Sequence, residues 1–136
     1  MNFPSLHQRR INDCGPITLM MIAKYYGIRC SYHEICEKCN YTNIGVSLLD
    51  INVCAQMLKF NTLVIDCSIK DLVETIPVPV IAYFTDGHFV AIYKTNKKYI
   101  WISDPAIGHV RYDKETFTKK WYSNAKKSGV ILLIEK

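Results

Sequence analysis

The 136-residue sequence lacks the features that define several classes of protein. It has no apolar run approaching the roughly 20 residues that a transmembrane helix needs. Its first residues lack the basic start and apolar stretch of a secretory signal, so we expect an intracellular protein or an intracellular piece of a longer one. It contains no motif of a nucleic-acid-binding family, and its net charge of +5 alone does not predict such a partner.

The chain also lacks internal repeats, low-complexity tracts and any obvious linker, so we expect a single domain over residues 1–136. Its 49% hydrophobic and 21% charged residues are ordinary for a globular protein. The lysines near the C-terminus, Lys119, Lys120, Lys126 and Lys127, are interpreted as a solvated surface. The six cysteines are expected to be reduced thiols, because no signal is present and the apolar content suffices for a core.

The first half of the chain has the patterns of helices. Pro16 in a first turn, an apolar run and a stop at Gly27 predict a buried helix that begins near Cys14. The apolar residues of 48–58 predict a largely buried helix. Further helix starts are predicted where a serine is followed three positions later by an acidic residue, at Ser31 with Glu34, Ser47 with Asp50 and Ser68 with Asp71.

The second half has the patterns of strands. β-branched and aromatic runs predict strands at 78–84, 89–93, 99–103, 110–112 and 130–134, with turns at 86–87 and 96–97. A short helix capped by Asp113 is expected over 113–121. Helices first and strands afterwards predict an α+β domain, with a mainly antiparallel sheet and the helices packed on one side.

Three residues in chain order have the types that nucleophilic catalysis uses. Cys14 lies at a predicted helix start, where the helix dipole favours a thiolate, and Gly15 beside it would let a substrate backbone approach. His88 follows a turn at the mouth of a strand, a rigid yet reachable place for a base. Asp104 closes the next strand, where its carboxylate can orient the imidazole. Each residue alone has an ordinary structural explanation, as a buried thiol, a turn histidine or a strand-ending aspartate.

A thiolate that attacks a carbonyl also needs hydrogen-bond donors for the oxyanion that forms. The backbone N–H of Cys14 is one candidate. Gln8 lies six residues upstream in an irregular segment, and its side-chain amide is the second candidate.

Five blocks of sequence, in this order, resemble the bacteriocin-processing peptidase domain of bacterial ABC transporters. They are QRRINDCGP at 8–16, AKYYG at 23–27, GVSLL at 45–49, GHFV at 87–90 and SDPAIG at 103–108. The resemblance extends from about Gln8 to Trp121 and into the last predicted strand. The cysteine-rich stretch from Cys30 to Cys39 is not a hallmark of that family.

The resemblance implies a papain-like cysteine peptidase that cuts exported peptide precursors after a Gly-Gly motif. Cys14 would be the nucleophile, His88 the base and acid, and Asp104 the orienting carboxylate, with Gln8 as oxyanion donor and no cofactor. The implied partners are a precursor with a double-glycine leader and the membrane and nucleotide-binding domains of an ABC transporter, fused or associated. The implied place is the cytoplasmic side of a bacterial membrane.

Members of that family also bind an amphipathic leader helix in an apolar groove. The groove would be lined by those residues that are exposed among Leu48, Leu49, Met20, Met21, Tyr25 and Tyr26. Asp86 and Gly87 are expected to line the narrow cleft that accepts two glycines, because they precede His88.

Two other functions stay open at this point. Cys30, His33, Cys36 and Cys39 have a spacing that a structural zinc site could use, although one helix would hold residues 30 and 39 too far apart. A non-catalytic domain that only docks leader peptides on a transporter is the other alternative, and the complete set of catalytic residue types argues against it.

Overall fold

The computed structural model describes residues 2–123 and 126–136, and within them five helices pack against one six-stranded antiparallel sheet. The predicted α+β class, with helices first and strands afterwards, is confirmed. None of the described helices combines the length and the apolar content that a membrane crossing requires. The elements in chain order are α1 (Cys14–Tyr25), α2 (Tyr32–Lys38), α3 (Leu48–Met57), β1 (Asn61–Cys67), α4 (Ile69–Glu74), β2 (Val80–Tyr83), β3 (Phe89–Thr95), β4 (Tyr99–Asp104), β5 (Gly108–Asp113), α5 (Lys114–Trp121) and β6 (Gly129–Glu135).

The predicted helix boundaries are confirmed by their hydrogen bonds. Gly27 ends α1 with a φ of 76°, and its N–H donates to the Lys24 carbonyl while the N–H of Ile28 donates to Ala23. This left-handed ending suits glycine, which has no Cβ to clash. The side chains of four N-cap residues, Ser31, Ser47, Ser68 and Asp113, accept from the backbone N–H three residues on.

α3 differs from the prediction of a largely buried helix. Only Ile51, Cys54 and Ala55 are buried in it. Its other side carries three exposed apolar side chains at one-turn spacing, Leu49 (68% exposed), Val53 (45%) and Met57 (49%). The sequence did not separate the two sides because both are apolar.

The sheet has the strand order β1-β6-β2-β3-β4-β5, with antiparallel neighbours throughout. β1 was not predicted, because this mostly exposed edge strand begins with Asn61 and contains Asp66. The last strand, β6, lies between β1 and β2 and pairs with both.

Apolar side chains cover both faces of the sheet. On one face, α1 packs against β3 with α2 and α3 beside it, around a core that includes Leu19, Ile22 and Phe89. On the other face, Phe117 and Trp121 of α5 pack against β2, β3, β4 and β6. Because helices lie on both faces, the prediction that they pack on one side is wrong for α5 and for α4, whose Leu72 is buried in the same cluster as Phe117.

Candidate active site

Cys14 is the first residue of α1, as predicted, and only 9% of its surface is exposed. The helix begins where the N–H of Ile17 donates to the Asp13 carbonyl at 3.1 Å. The N–H groups of the first turn, that of Cys14 included, therefore have no partner within the helix. A negative charge that develops beside Cys14 would face these donors and the positive end of the helix dipole.

Thr18 joins the nucleophile's helix to the strand that follows His88. Its hydroxyl lies 2.7 Å from the carbonyl oxygen of Cys14 and 3.2 Å from that of Phe89, and the residue is fully buried. The Thr18 side chain therefore links the start of α1 to the start of β3.

Gly15 does not leave room for a substrate, so that expectation is wrong. A Cβ on Gly15 would lie 2.7 Å from Val46 Cγ2, 3.0 Å from Ile51 Cδ1 and 3.2 Å from Phe89 Cδ2. The glycine is buried, and its lack of a side chain lets α1 approach the start of α3 and β3 closely.

His88 and Asp104 meet across neighbouring strands, as their positions predicted. β3 and β4 are antiparallel with Ala91 opposite Ser103, which brings the start of one to the end of the other. His88 Nε2 lies 2.6 Å from Asp104 Oδ1, and the N–H of Ala106 donates to the same oxygen at 2.8 Å. The backbone therefore orients the carboxylate, and the carboxylate orients the ring.

The turn before His88 is built by Asp86 and Gly87. The N–H of His88 donates to Asp86 Oδ1 at 3.2 Å, and the N–H of Gly87 donates to the Phe84 carbonyl at 2.9 Å. Gly87 has a φ of 89°, in the left-handed region that favours glycine.

The surroundings of His88 favour its protonated form. Burial alone would lower the pKa of His88, but hydrogen bonds with Asp104 and with the Cys14 side chain raise that pKa to about 10. Because Nε2 is used by Asp104, the ring nitrogen left for Cys14 is Nδ1. At neutral pH both ring nitrogens of His88 therefore carry a proton. Nε2–H donates to Asp104, and Nδ1–H faces the Cys14 sulfur.

Gln8 lines the same cavity as the other candidate residues. Its backbone N–H donates to the Pro105 carbonyl at 2.9 Å, next to Asp104. Gln8, Cys14, His88 and Asp104 line one open cavity of about 440 Å³. The structure therefore brings together all four residues that the sequence singled out.

The same cavity has further lining residues, and Asp86 and Gly87 are among them, as expected from their adjacency to His88. Lys120 also lines it, although it was interpreted only as part of a solvated surface, and it is indeed exposed. The sequence around Lys120 does not predict this position, because only the packing of α5 in the folded protein brings the residue to the cavity. The remaining lining residues are Asn12, Phe84, Ala106, Ile107 and Tyr112.

Leu48 and Leu49 do not line this cavity. Leu48 packs partly buried against the core, and Leu49 projects from the first turn of α3 into solvent. Of the other residues proposed for the groove, Met21 is fully buried, while Met20, Tyr25 and Tyr26 are partly buried against the core.

The cysteine-rich stretch does not form a ligand set in the structure. The exposed imidazole of His33 pairs with Glu37 at 3.5 Å, whereas Cys39 is fully buried and hydrogen-bonds Cys54. Across residues 2–123 and 126–136, no three His, Cys, Asp or Glu side chains converge as metal ligands would. All six thiols are free of disulfides.

Comparisons with known proteins identify the family and the fold. A family model described as "Peptidase C39 family" matches residues 2–136. The lactococcin-G-processing and transport ATP-binding protein LagD of Lactococcus lactis subsp. lactis is 30% identical over 132 residues, which cover 93% of this chain and 18% of that protein. An uncharacterized protein of Methanothermobacter marburgensis is 22% identical, over 91% of this chain and 82% of its own length.

Solved structures show the same fold. A double glycine motif protease from an AMS/PCAT transporter, in complex with the leader peptide, superposes with a TM-score of 0.89 at 22% identity, covering 98% of this chain and 91% of its own. The peptidase domain of Streptococcus ComA, a bi-functional ABC transporter, gives 0.87 at 24% identity, covering 98% of both chains. These likenesses confirm the predicted papain-like peptidase fold.

Proposed function

Because residues 2–136 match its family model, this chain belongs to the peptidase C39 family, and we propose that it is a cysteine endopeptidase that cuts peptide precursors after a Gly-Gly motif. The observation that carries the proposal is the meeting of Cys14, His88 and Asp104 in one open cavity. The names of LagD and of the double glycine motif protease support this substrate class.

The proposed reaction follows from the positions of the side chains. His88 Nδ1 already holds the proton of the Cys14–His88 pair, so the Cys14 sulfur attacks the carbonyl carbon of the second glycine directly. The carbonyl oxygen becomes an oxyanion that accepts from the Cys14 N–H and the Gln8 side-chain amide. The imidazolium then protonates the leaving amine, which leaves a thioester on Cys14. Water, deprotonated by His88, attacks the thioester and releases the leader with a free carboxylate.

Selection of two glycines has a physical basis in the same cavity. A cleft that accepts the acyl-side residues only when they lack a Cβ must have walls close to the peptide backbone. We propose that Asp86 and Gly87 form one such wall, because they line the cavity beside His88 and their turn is fixed by the Asp86 carboxylate.

The exposed apolar stripe of α3, formed by Leu49, Val53 and Met57, is the proposed dock for a leader helix. α3 starts beside the nucleophile, since Val46 and Ile51 pack against Gly15. The stripe extends over two helical turns of α3, and each member is 45% or more exposed. An amphipathic leader could bury its own apolar side on this stripe while its Gly-Gly end reaches Cys14.

The proposed place is the cytoplasmic side of a bacterial membrane, with the peptidase fused to or associated with the membrane and nucleotide-binding domains of an ABC transporter. The support is that the chain spans 18% of LagD, whose name joins processing to transport. The peptidase would then cleave the same precursor whose product the transporter exports.

Cleavage of a double-glycine precursor under reducing conditions tests the proposal. We expect the wild type to release a leader that ends in Gly-Gly, detected by mass spectrometry, and Cys14→Ala to release none. Cys67→Ala is the matched control, because this buried thiol lies on β1 and its pKa is raised to about 11 by burial, so it should cleave like the wild type.

The same assay separates the peptidase from a domain that only docks leaders. A docking domain would bind the precursor without releasing product. Binding by the wild type with no cleavage would therefore contradict the proposed reaction, and equal cleavage by Cys14→Ala would contradict the role of Cys14.

A further inference from the structure

Asp13, next to the nucleophile, is fully buried and has no part in the reaction described above. Its carboxylate makes no cap bond to α1, although the residue occupies the N-cap position. Instead, Asp13 Oδ2 accepts the backbone N–H groups of Arg9 at 2.9 Å and Arg10 at 3.0 Å. These are the two residues that follow Gln8.

The N–H groups of three consecutive residues are thus held from two sides of the site. The N–H of Gln8 donates to Pro105, beside Asp104, and those of Arg9 and Arg10 donate to Asp13, beside Cys14. The segment has no helix or strand to fix it, so these bonds set its position. A side chain on Gln8 can reach a fixed point near Cys14 only if this backbone is held.

Tyr32 of α2 holds the carboxylate in turn. Its hydroxyl donates to Asp13 Oδ2 at 2.7 Å and accepts from Arg10 Nε at 2.9 Å. Burial and the bond to Asp13 raise the pKa of Tyr32 to about 12, so the hydroxyl keeps its proton at neutral pH. The guanidinium of Arg9 stacks over the same ring at 4.5 Å.

Only one oxygen of the Asp13 carboxylate, Oδ2, accepts these hydrogen bonds. Among the residues that the structure describes, the second oxygen, Asp13 Oδ1, is buried and has no hydrogen-bond partner. The other oxygen collects three donors, two from the residues that follow Gln8 and one from α2.

We propose that Asp13 is a positioning residue that acts through Gln8: it fixes the backbone of 8–10 so that the Gln8 amide meets the oxyanion formed at Cys14. The role rests on the proposed peptidase function. It predicts that loss of Asp13 impairs the turnover step and not the binding of the precursor or the reactivity of the thiol.

A double-mutant cycle with Gln8 tests the role. Asp13→Ala is expected to lower kcat by about 10²-fold, the effect of a misplacement of about 1 Å, with KM little changed. In a Gln8→Ala background the same change should lower kcat by less than about threefold, because the group it positions is already gone. Asp13→Asn should recover most of kcat, since its amide oxygen can still accept from the two N–H groups.

Two measurements separate positioning from loss of structure. Alkylation of Cys14 by iodoacetamide should proceed at the wild-type rate in Asp13→Ala, because His88 and Asp104 are untouched. Tyr32→Phe keeps the ring and removes one donor, so it should lower kcat less than Asp13→Ala does, and only when Gln8 is present. Ser68→Ala, which removes a helix cap at α4, is the control and should lower the melting temperature without lowering kcat.

Equal losses from Asp13→Ala in the presence and absence of Gln8 would overturn this role, and so would a matching fall in the alkylation rate of Cys14. If Asp13→Ala does not fold, Tyr32→Phe decides by the same cycle. A wild type that cleaves no double-glycine precursor would instead overturn the proposed function, and the role with it.

Discussion

At the residue scale, the pairing of His88 with Asp104 favours the protonated form of the His88 imidazole. Side-chain exposure is 22% for His88 and 6% for Asp104, so solvent screens this 2.6 Å contact only in part. The pKa of the imidazole rises from 6.5 to about 10 against the opposing effect of burial. A raised pKa means that the folded protein binds this proton more tightly than the unfolded chain does. The stabilisation is therefore complete below about pH 6.5 and is lost as the pH rises through about 10.

The pH dependence of cleavage should show this shift. We expect the basic limb of kcat/KM to lie well above pH 6.5, because His88 must be protonated to give a proton to the leaving amine. Asp104→Asn removes the charged acceptor and should move that limb to lower pH. Asp113→Asn changes a carboxylate that caps α5 outside the cavity lining, and it should leave the limb where it is. A wild-type basic limb near pH 6.5 would contradict the assignment.

At the element scale, the site depends on how closely α1 approaches its neighbours. The glycine after the nucleophile was interpreted from sequence as an opening for substrate, and the structure shows it as a packing contact with Val46, Ile51 and Phe89. The sequence marks the glycine but not what surrounds it, because its contacts come from α3 and β3, distant in the chain. Helix caps, by contrast, were predictable, because a serine or aspartate bonds to an N–H only three residues away.

Gly15→Ala is therefore expected to lower the free energy of unfolding by about 1–3 kcal/mol, the range for overpacking a tight core. Urea denaturation measures it. Val46→Ala removes the methyl group 2.7 Å from the new Cβ, so the double variant should recover part of the loss that Gly15→Ala causes. Losses that simply add would show that the contact with Val46 is not the cause.

At the scale of the whole molecule, the sequence predicted the α+β class, the five strands of the second half and four residues that the structure brings to one cavity. The edge strand β1, the place of β6 inside the sheet and the role of Asp13 were not predictable. Each depends on partners far away in sequence: β1 pairs with β6, and Asp13 binds Tyr32. The exposed stripe of α3 was also hidden, since an apolar sequence does not say which side is covered.

That stripe gives a prediction about substrate size. Leu49→Asp should raise KM for a full-length precursor by about tenfold, which corresponds to about 1.4 kcal/mol, part of what burying a leucine contributes. A short peptide that contains Gly-Gly without the leader helix should be cut equally well by wild type and variant. Leu63→Asp is the matched control: Leu63 is 58% exposed on β1, and its neighbour in register, Leu133, belongs to the opposite face from α3.

The position of β6 also has a consequence for the order in which the molecule can fold. Among the strands within residues 2–123 and 126–136, β1 pairs with β6 alone, and β6 is the link between β1 and the strands beside His88 and Asp104. While a ribosome is still synthesising residues 129–135, β1 has no partner strand and the sheet of β2 to β5 has an open edge at β2, and both invite pairing with other chains. The complete sheet therefore forms only after nearly all of the described chain has emerged, and its longest-range strand pairing is the last to become available.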